Sequence, residues 1–488
     1  KNDAIKDISS VIQGGAKHTE NIFNDFDIET LLPRMHSTEG PKVVVADVNG
    51  DGKDDFLTLG ADGDSDKLFL QTTNGKFKRA PAPALDADKS FESTAAVFLD
   101  ADNDGDQDLL IGAGGNQLSK GIESFMLRYY ENDGSGNYTR QDSKAPRGAG
   151  QVSSIACGDI DKDGDIDIFV GGRSIPGNYG IAPRSFVFRN EGNGAWTDIT
   201  SQEIGTVGMT TDAIWSDIDR DDDLDLMIVG EWMPITVFVN ENGKLENQRT
   251  VPDSHGWWLD INEADLNGDG INEYLLGNWG KNSKFKASKE APLSMHLKDF
   301  DNNGKTEFIM NWYPPIDDKP YPFASKMDIT SQLPHLKKKV LKYEDYATKD
   351  YNSLLTEEER AGTTDFICQT LSTSILDVSS NTPRLISLNN AAQLSPTFAI
   401  APVDHNQDGK MDLWLGGNFY GLKPEAGHLD GSRGVLLENQ GNLNFSEVPN
   451  NPDITTGEVR DAKTIKINGE QALLVARNNQ TLQLLSFD

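Results

Sequence analysis

The chain has 488 residues, 77 acidic against 45 basic, and a formal net charge of −32. That balance speaks against a nucleic-acid partner, whose phosphates call for Lys and Arg, and against direct docking on anionic lipid. No run approaches the roughly 18 apolar residues of a membrane-spanning helix, and the two cysteines, Cys157 and Cys368, fall in separate segments and are expected as buried thiols.

Near the N-terminus, Ala4-Ile-Lys-Asp-Ile8 reads as a short strand. A nine-residue acidic phrase then recurs seven times, with Asp or Asn at positions 1, 3 and 5, usually Gly at position 6, and Asp or Glu at position 9. In chain order the copies are Asp47, Asn49, Asp51 and Asp55; Asp100, Asp102, Asp104 and Asp108; Asp159, Asp161, Asp163 and Asp167; Asp217, Asp219, Asp221 and Asp225. Three more follow: Asp265, Asn267, Asp269 and Glu273; Asp299, Asp301, Asn303 and Glu307; Asp404, Asn406, Asp408 and Asp412. Alternate oxygens in a tight loop, with the carbonyl of position 7 and a carboxylate at 9, match the oxygen-rich shell that Ca²⁺ prefers, so as many as seven Ca²⁺ ions are expected. Without a cation, carboxylates so close repel one another. An EF-hand is excluded, because position 12 is not Glu and no helices flank the loops.

Each phrase is followed by a short apolar run that ends on glycine, as in Asp108-Leu-Leu-Ile-Gly and Asp412-Leu-Trp-Leu-Gly, and is preceded by another, as in Lys42-Val-Val-Val-Ala. The acidic loop therefore joins two antiparallel strands, A and B. Several copies continue into a second hairpin, C and D, such as Val237-Phe-Val-Asn-Glu-Asn-Gly-Lys-Leu245, where Asn-Gly signals the turn. Four strands at a period of 48 to 59 residues, the spacing of the first five loops, describe an all-β propeller of four-stranded blades.

The sixth loop follows the fifth by only 34 residues, and 105 residues separate it from the seventh. Residues 320–362 carry helix formers and starters and read as a helical insertion. The hairpin Ser374-Ile-Leu-Asp to Arg384-Leu-Ile-Ser then completes the interrupted blade. From Ala462 to Phe487 strands A, B and C recur without the acidic loop and without D, which Ala4–Ile8 would supply by pairing with Leu482–Phe487 and closing the ring. A–B hairpins number eight, which predicts eight blades; merging the short sixth copy with its neighbour predicts seven.

The loops and strands resemble the FG-GAP/VCBS repeat family, with a distant likeness to the integrin α-subunit propeller. The segments Leu31-Leu-Pro-Arg-Met-His-Ser-Thr-Glu-Gly-Pro41, Leu275-Leu-Gly-Asn-Trp-Gly-Lys and Gly416-Gly-Asn-Phe-Tyr-Gly-Leu-Lys are similar to bacterial secreted relatives of cartilage acidic protein, in which such repeats occur with an ASPIC/UnbV domain. The resemblance implies a secreted or outer-membrane-associated, calcium-binding protein. No ASPIC/UnbV segment is evident, so the chain is read as a portion of a longer protein or a shorter member. The start at Lys1, without a leader, is read as a mature or trimmed product.

If the A–B loops occupy one face, the B–C and D–A loops occupy the other, and these are rich in aromatics. Trp232, Trp257, Trp279, Trp312 and Tyr420, with Arg173, Lys423 and Arg460, are expected to line a concave ligand site there, suited to stacking on sugars or anchoring a protein. The leading reading is a non-enzymatic recognition module for glycan or protein. A structural subunit of an outer-membrane complex comes next. A polysaccharide lyase using His255, Tyr179, Tyr420, Arg173 or Lys423 is third, since no spacing in the sequence brings those residues together.

Overall fold

A computed structural model describes residues 5–117, 121, 125–148, 150–317, 319–380, 382–448 and 454–487. Its strands form eight sheets, nearly all antiparallel, with a few short helices. Seven of the sheets follow the A-B-C-D order. Strand A of units 1 to 7 spans Val43–Ala46, Ser93–Leu99, Val152–Gly158, Met209–Ser216, Asp260–Ala264, Thr397–Val403 and Glu458–Ile467. These first strands pack side by side in chain order, and Val43–Ala46 also packs against Glu458–Ile467. Strands B and C are the dry ones. Asp108–Ala113 and Asp167–Gly172 are buried throughout, which is why they read as continuous apolar runs rather than alternating ones.

The last unit draws on both termini. Ile5–Asp7 pairs antiparallel with Gln483–Phe487, matching Ile5 to Phe487 and Asp7 to Leu485. Ala4 lies outside the described residues. Ile5 is buried among Trp414, Leu473 and Leu485, so the pairing is fixed by packing as well as by hydrogen bonds. The next segment, Ile12–Gln13, adds in parallel to the outer strand Phe77–Arg79 of unit 1.

The eighth sheet contains the sixth acidic loop, in the order Tyr321–Pro322, Glu307–Trp312, Leu293–Lys298, Thr364–Cys368. It interrupts unit 5, whose strand B, Glu273–Gly277, pairs with Ser374–Asp377 across the whole excursion. The count of eight A–B hairpins therefore included one that belongs to an insertion. Within the excursion the helical part comprises Lys326–Gln332, a 3-10 turn over Pro334–Lys338, and the short helices Tyr343–Ala347, Tyr351–Leu354 and Glu357–Arg360. Ser325, Asp350 and Thr356 cap three of these with their side chains.

Because strands alternate in direction, all insertions between B and C emerge on the face opposite the other acidic loops. On that face a second apolar layer joins Leu31 and Leu32, the inserted sheet (Leu293, Met295, Phe308, Met310) and the helices (Ile329, Leu336, Leu354) to the ends of units 3 to 6.

Candidate functional site

Two features carry chemistry: the acidic loops, and a buried charged and aromatic cluster on the opposite face.

The seven loops share one backbone design. The N–H of position 6 donates to the carboxylate of position 1 at 2.7–3.1 Å in all seven, for example Gly52 to Asp47 and Asp222 to Asp217. The N–H of position 2 donates to the carboxylate of position 9 at 2.9–3.3 Å, again in all seven. Curling the chain this tightly puts positions 4 and 6 in the left-handed region. Position 6 is Gly in six loops, and in the fourth Asp222 adopts φ +72°. Position 4 takes the same conformation, with Gly or Asn in four loops (Gly50, Asn103, Gly268, Asn302) but ordinary side chains at Lys162 (φ +61°), Arg220 (φ +67°) and Gln407 (φ +57°), so that requirement is only partly written in the sequence.

The position 9 carboxylate is buried and does double duty. In five loops its second oxygen accepts from the backbone N–H that ends strand C: Gln71 to Asp55, Asn132 to Asp108, Asn190 to Asp167, Asn240 to Asp225 and Asn439 to Asp412, at 2.7–2.9 Å. Burial, with the neighbouring carboxylates adding to it, outweighs those N–H groups and pushes Asp55 and Glu273 up to about 7 and Asp167 and Asp225 up to about 6. Charge held this way calls for a counter-charge.

A divalent ion fits. Asp100, Asp102 and Asp104 offer oxygens all within 4.8 Å of one another, as do the groups Asp159/Asp161/Asp167, Asp217/Asp219/Asp221 and Asp299/Asp301/Glu307. One oxygen each of Asp100, Asp102, Asp161 and Asp301 is buried without a hydrogen-bond partner among the described residues, which is where coordination would satisfy it. Bound there, a cation would supply the positive charge that holds the carboxylates ionised and the loop closed.

On the opposite face the structure brings together six of the eight residues expected to bind ligand, but it buries them. Trp232, Trp257 and Trp279 are 2 %, 2 % and 1 % exposed, so the open aromatic concavity expected from the sequence is not formed by them. They run edge to face, Trp232 on Trp257 at 5.1 Å and Trp257 on Trp279 at 5.5 Å, and Trp279 then meets Phe419 at 5.7 Å. Trp232 holds φ +61°, which a bulky residue adopts only under constraint. The constraint is visible: its indole N–H donates to Tyr179 Oη at 2.8 Å while the ring packs on Trp257.

The charges in this cluster are paired. Glu231 accepts from Arg34 Nε at 2.8 Å, Tyr179 Oη at 2.9 Å and Arg173 Nη1 at 3.3 Å. Burial alone would raise Glu231, but Arg173 and Arg34 prevail and hold it down at about 2. Arg173 also reaches Glu39 and His36, both at 3.2 Å. Arg460 is fully buried, donating to Thr38 O, Asn418 O and Glu458 and lying 4.6 Å over Phe398. Lys423 is committed to Asp328 of the insertion at 2.7 Å.

Only Trp312, half-buried with Lys284 Nζ 4.8 Å above its ring, and Tyr420, 38 % exposed against His428, reach the surface. For the lyase reading, Tyr179 and Arg173 are locked in the buried network, and His255 is half-buried with its backbone carbonyl accepting from Gln369 and Thr370.

Arg34, His36 and Glu39 complete this network, and the spacing of the sequence does not mark them as site residues. They sit in the segment Leu31–Pro41, which in the sequence carries only a family likeness. A buried Arg-x-His-x-x-Glu in a stretch without strand periodicity was the available signal.

Residues 47–111, 113–170 and 217–276 match the FG-GAP-like repeat family, and they contain the first five acidic loops. Among curated proteins none matches. Among solved structures the chain is similar to one described as a lectin of Agrocybe aegerita that recognises non-reducing terminal N-acetylglucosamine, at 14 % identity and a TM-score of 0.39, over 83 % of this chain and 79 % of that one. It is also similar to a biofilm matrix protein of V. cholerae, at 11 % identity and a TM-score of 0.39, over 100 % of this chain and 91 % of that one. At that distance neither bears on what this chain binds.

Proposed function

We propose that the chain is a calcium-stabilised, seven-bladed propeller that acts as a non-enzymatic recognition module outside the cell or at a bacterial surface. The side-by-side packing of the seven first strands, returning from Glu458–Ile467 to Val43–Ala46, supports the count of seven, with residues 1–488 forming one domain around an insertion. Calcium is favoured over magnesium by the many flexible carboxylate and carbonyl oxygens of the loops.

The observation that supports the recognition reading is the buried ion-pair network. Arg34, Arg173, Glu231 and Glu39 neutralise one another under cover of Trp232 and Tyr179, so these groups are a rigid base and not catalytic groups awaiting substrate. Above that base, the insertion and the loops bearing Trp312 and Tyr420 form the surface offered to a glycan or protein, and the eight residues named from sequence act mostly by supporting it. A glycan array and an affinity pull-down, run on the whole chain, test this. Selective retention of a glycan or protein supports the reading; turnover of a polysaccharide, with loss of polymer length, would replace it with the lyase.

The second reading, an accessory subunit of an outer-membrane complex, is favoured by the insertion itself. Ile316, Met327, Leu341 and Tyr343 are 86 %, 68 %, 77 % and 60 % exposed there, an apolar content at the surface that fits a protein partner. No helix among the described residues is long and apolar enough to cross a membrane.

A further inference from the structure

The sixth acidic loop differs from the others in its place. It belongs to the inserted sheet, on the face opposite the other loops, and its last three positions, Lys305, Thr306 and Glu307, form one wall of a cavity of about 350 Å³. Three other segments complete the walls: Ile28–Leu31 of the N-terminal region, Pro176–Asn178 of the B–C loop in unit 3, and Gln332 at the end of an inserted helix. Four stretches far apart in sequence converge on one hollow, whose volume lies in the roughly 300–1,000 Å³ range of small-molecule sites.

The chemistry of the walls is mixed in a particular way. Ile28, Leu31, Pro176 and Phe308 give apolar surface. The side chains of Lys305, Thr306 and Gln332 make no hydrogen bond to another described residue, so a donor amine, a hydroxyl and an amide are available. Glu29 is held in place, its carboxylate accepting from Tyr179 N at 2.8 Å and from Asn116 Nδ2 at 3.2 Å. Carboxylates at Glu29 and Glu307 disfavour an anionic guest. Uncharged donors and acceptors beside an apolar wall suit a ring with hydroxyls at its edge and C–H groups on its face.

We propose that this cavity binds a neutral mono- or disaccharide unit, and that the sixth loop, when it holds its cation, fixes the wall formed by Lys305, Thr306 and Glu307. The inference rests on the recognition reading above and narrows it to one site and one ligand class. Since the wall and the cation share a loop, sugar and cation affinities are coupled, each raising the other.

The test uses the whole chain in calcium and a probe panel of maltose, cellobiose, lactose and N,N′-diacetylchitobiose, read by saturation-transfer NMR and calorimetry. At least one disaccharide is expected to bind, with affinity reduced tenfold or more by Gln332→Trp, which fills the cavity from a half-buried position in its lining, and by Asp301→Asn, which weakens the sixth loop. Thr306→Trp, on the wall formed by the sixth loop, gives the same reading should Gln332→Trp fail to fold. Absence of binding across the panel, or affinity unchanged in the folded filling variant or in Asp301→Asn, would overturn the proposal. Glycan-array or pull-down signals that survive the filling variants would do so as well, while leaving the broader recognition reading in place.

Discussion

The side-chain amide of Asn132 donates a 2.9 Å hydrogen bond to the backbone carbonyl of Val48, which lies inside the acidic loop of the preceding unit. The same contact recurs from Asn190 to Ala101 at 3.0 Å, from Asn240 to Ile160 at 2.7 Å and from Asn439 to Leu266 at 2.7 Å, while Gln71 of unit 1 reaches Lys466 of unit 7 at 2.9 Å. Each of these five side chains also donates to its own strand or loop neighbourhood or is fixed by a buried backbone bond to the position 9 carboxylate. In five of the seven units one residue thus ties its own blade to the hairpin loop of the preceding unit, and in four of these that loop is an acidic one.

Replacing Asn132 or Asn240 with Ala should therefore cost about 1–3 kcal/mol each, since it removes the donor to the carbonyl of the buried Val48 or Ile160. Denaturant melts at saturating calcium check this. A change within about 0.5 kcal/mol would show that these contacts are incidental.

Deleting residues 1–12 removes Ile5–Asp7 from the last sheet, exposes the edge of Gln483–Phe487 and unpacks Ile5 from Trp414 and Leu485. Lower stability is expected, with hydrogen-exchange protection falling in Glu470–Asn478 and Gln483–Phe487 before other strands. Wild-type protection there would show that the N-terminal strand is dispensable.

Trp279 and Tyr420 separate packing from recognition. Trp279 is 1 % exposed and touched by Trp257, Phe419 and the Arg34 guanidinium, so Trp279→Ala should cost about 3–5 kcal/mol. Tyr420 is 38 % exposed, and Tyr420→Ala should leave the melting temperature nearly unchanged while lowering partner retention. The opposite ranking in thermal melts would contradict the placement of these rings.

Acid should destabilise the fold partly through His18. Burial, against the pull of Asp64, lowers this imidazole to about 4 in the folded protein from 6.5. The native state then binds fewer protons than the unfolded one, so the contribution is complete above pH 6.5 and is lost as pH falls toward 4. The shift corresponds to at most about 3 kcal/mol. His18→Gln should flatten the pH dependence of stability over that window; an unaltered slope would show that other groups account for it.

Much of this was legible in the sequence because the repeat writes its own geometry. Asp at positions 1, 3 and 5, Gly at 6 and an apolar run after 9 identify the hairpin, and the A-B-C sequence ending at Phe487 without a D strand points to Ile5. Other features left weaker marks. The interrupted unit 5 hid the fate of the sixth loop, because a hairpin looks the same whether it belongs to a ring or to an insertion. The burial of Trp232, Trp257 and Trp279 depends on Arg34, Phe419 and the inserted helices, which are remote in sequence and carry no periodicity that would announce the contact. The Asn residues that end strand C were visible as Glu-Asn132, Arg-Asn190, Val-Asn240 and Glu-Asn439, but a turn explains Asn there equally well.

Whether cations in the acidic loops hold the propeller together is decided by calorimetric unfolding with and without a calcium chelator. Chelation would leave oxygens of Asp100, Asp102, Asp161 and Asp301 buried and unbalanced, so a large fall in melting temperature, restored by adding calcium back, is expected. An unfolding transition at the same temperature with and without chelator would contradict it.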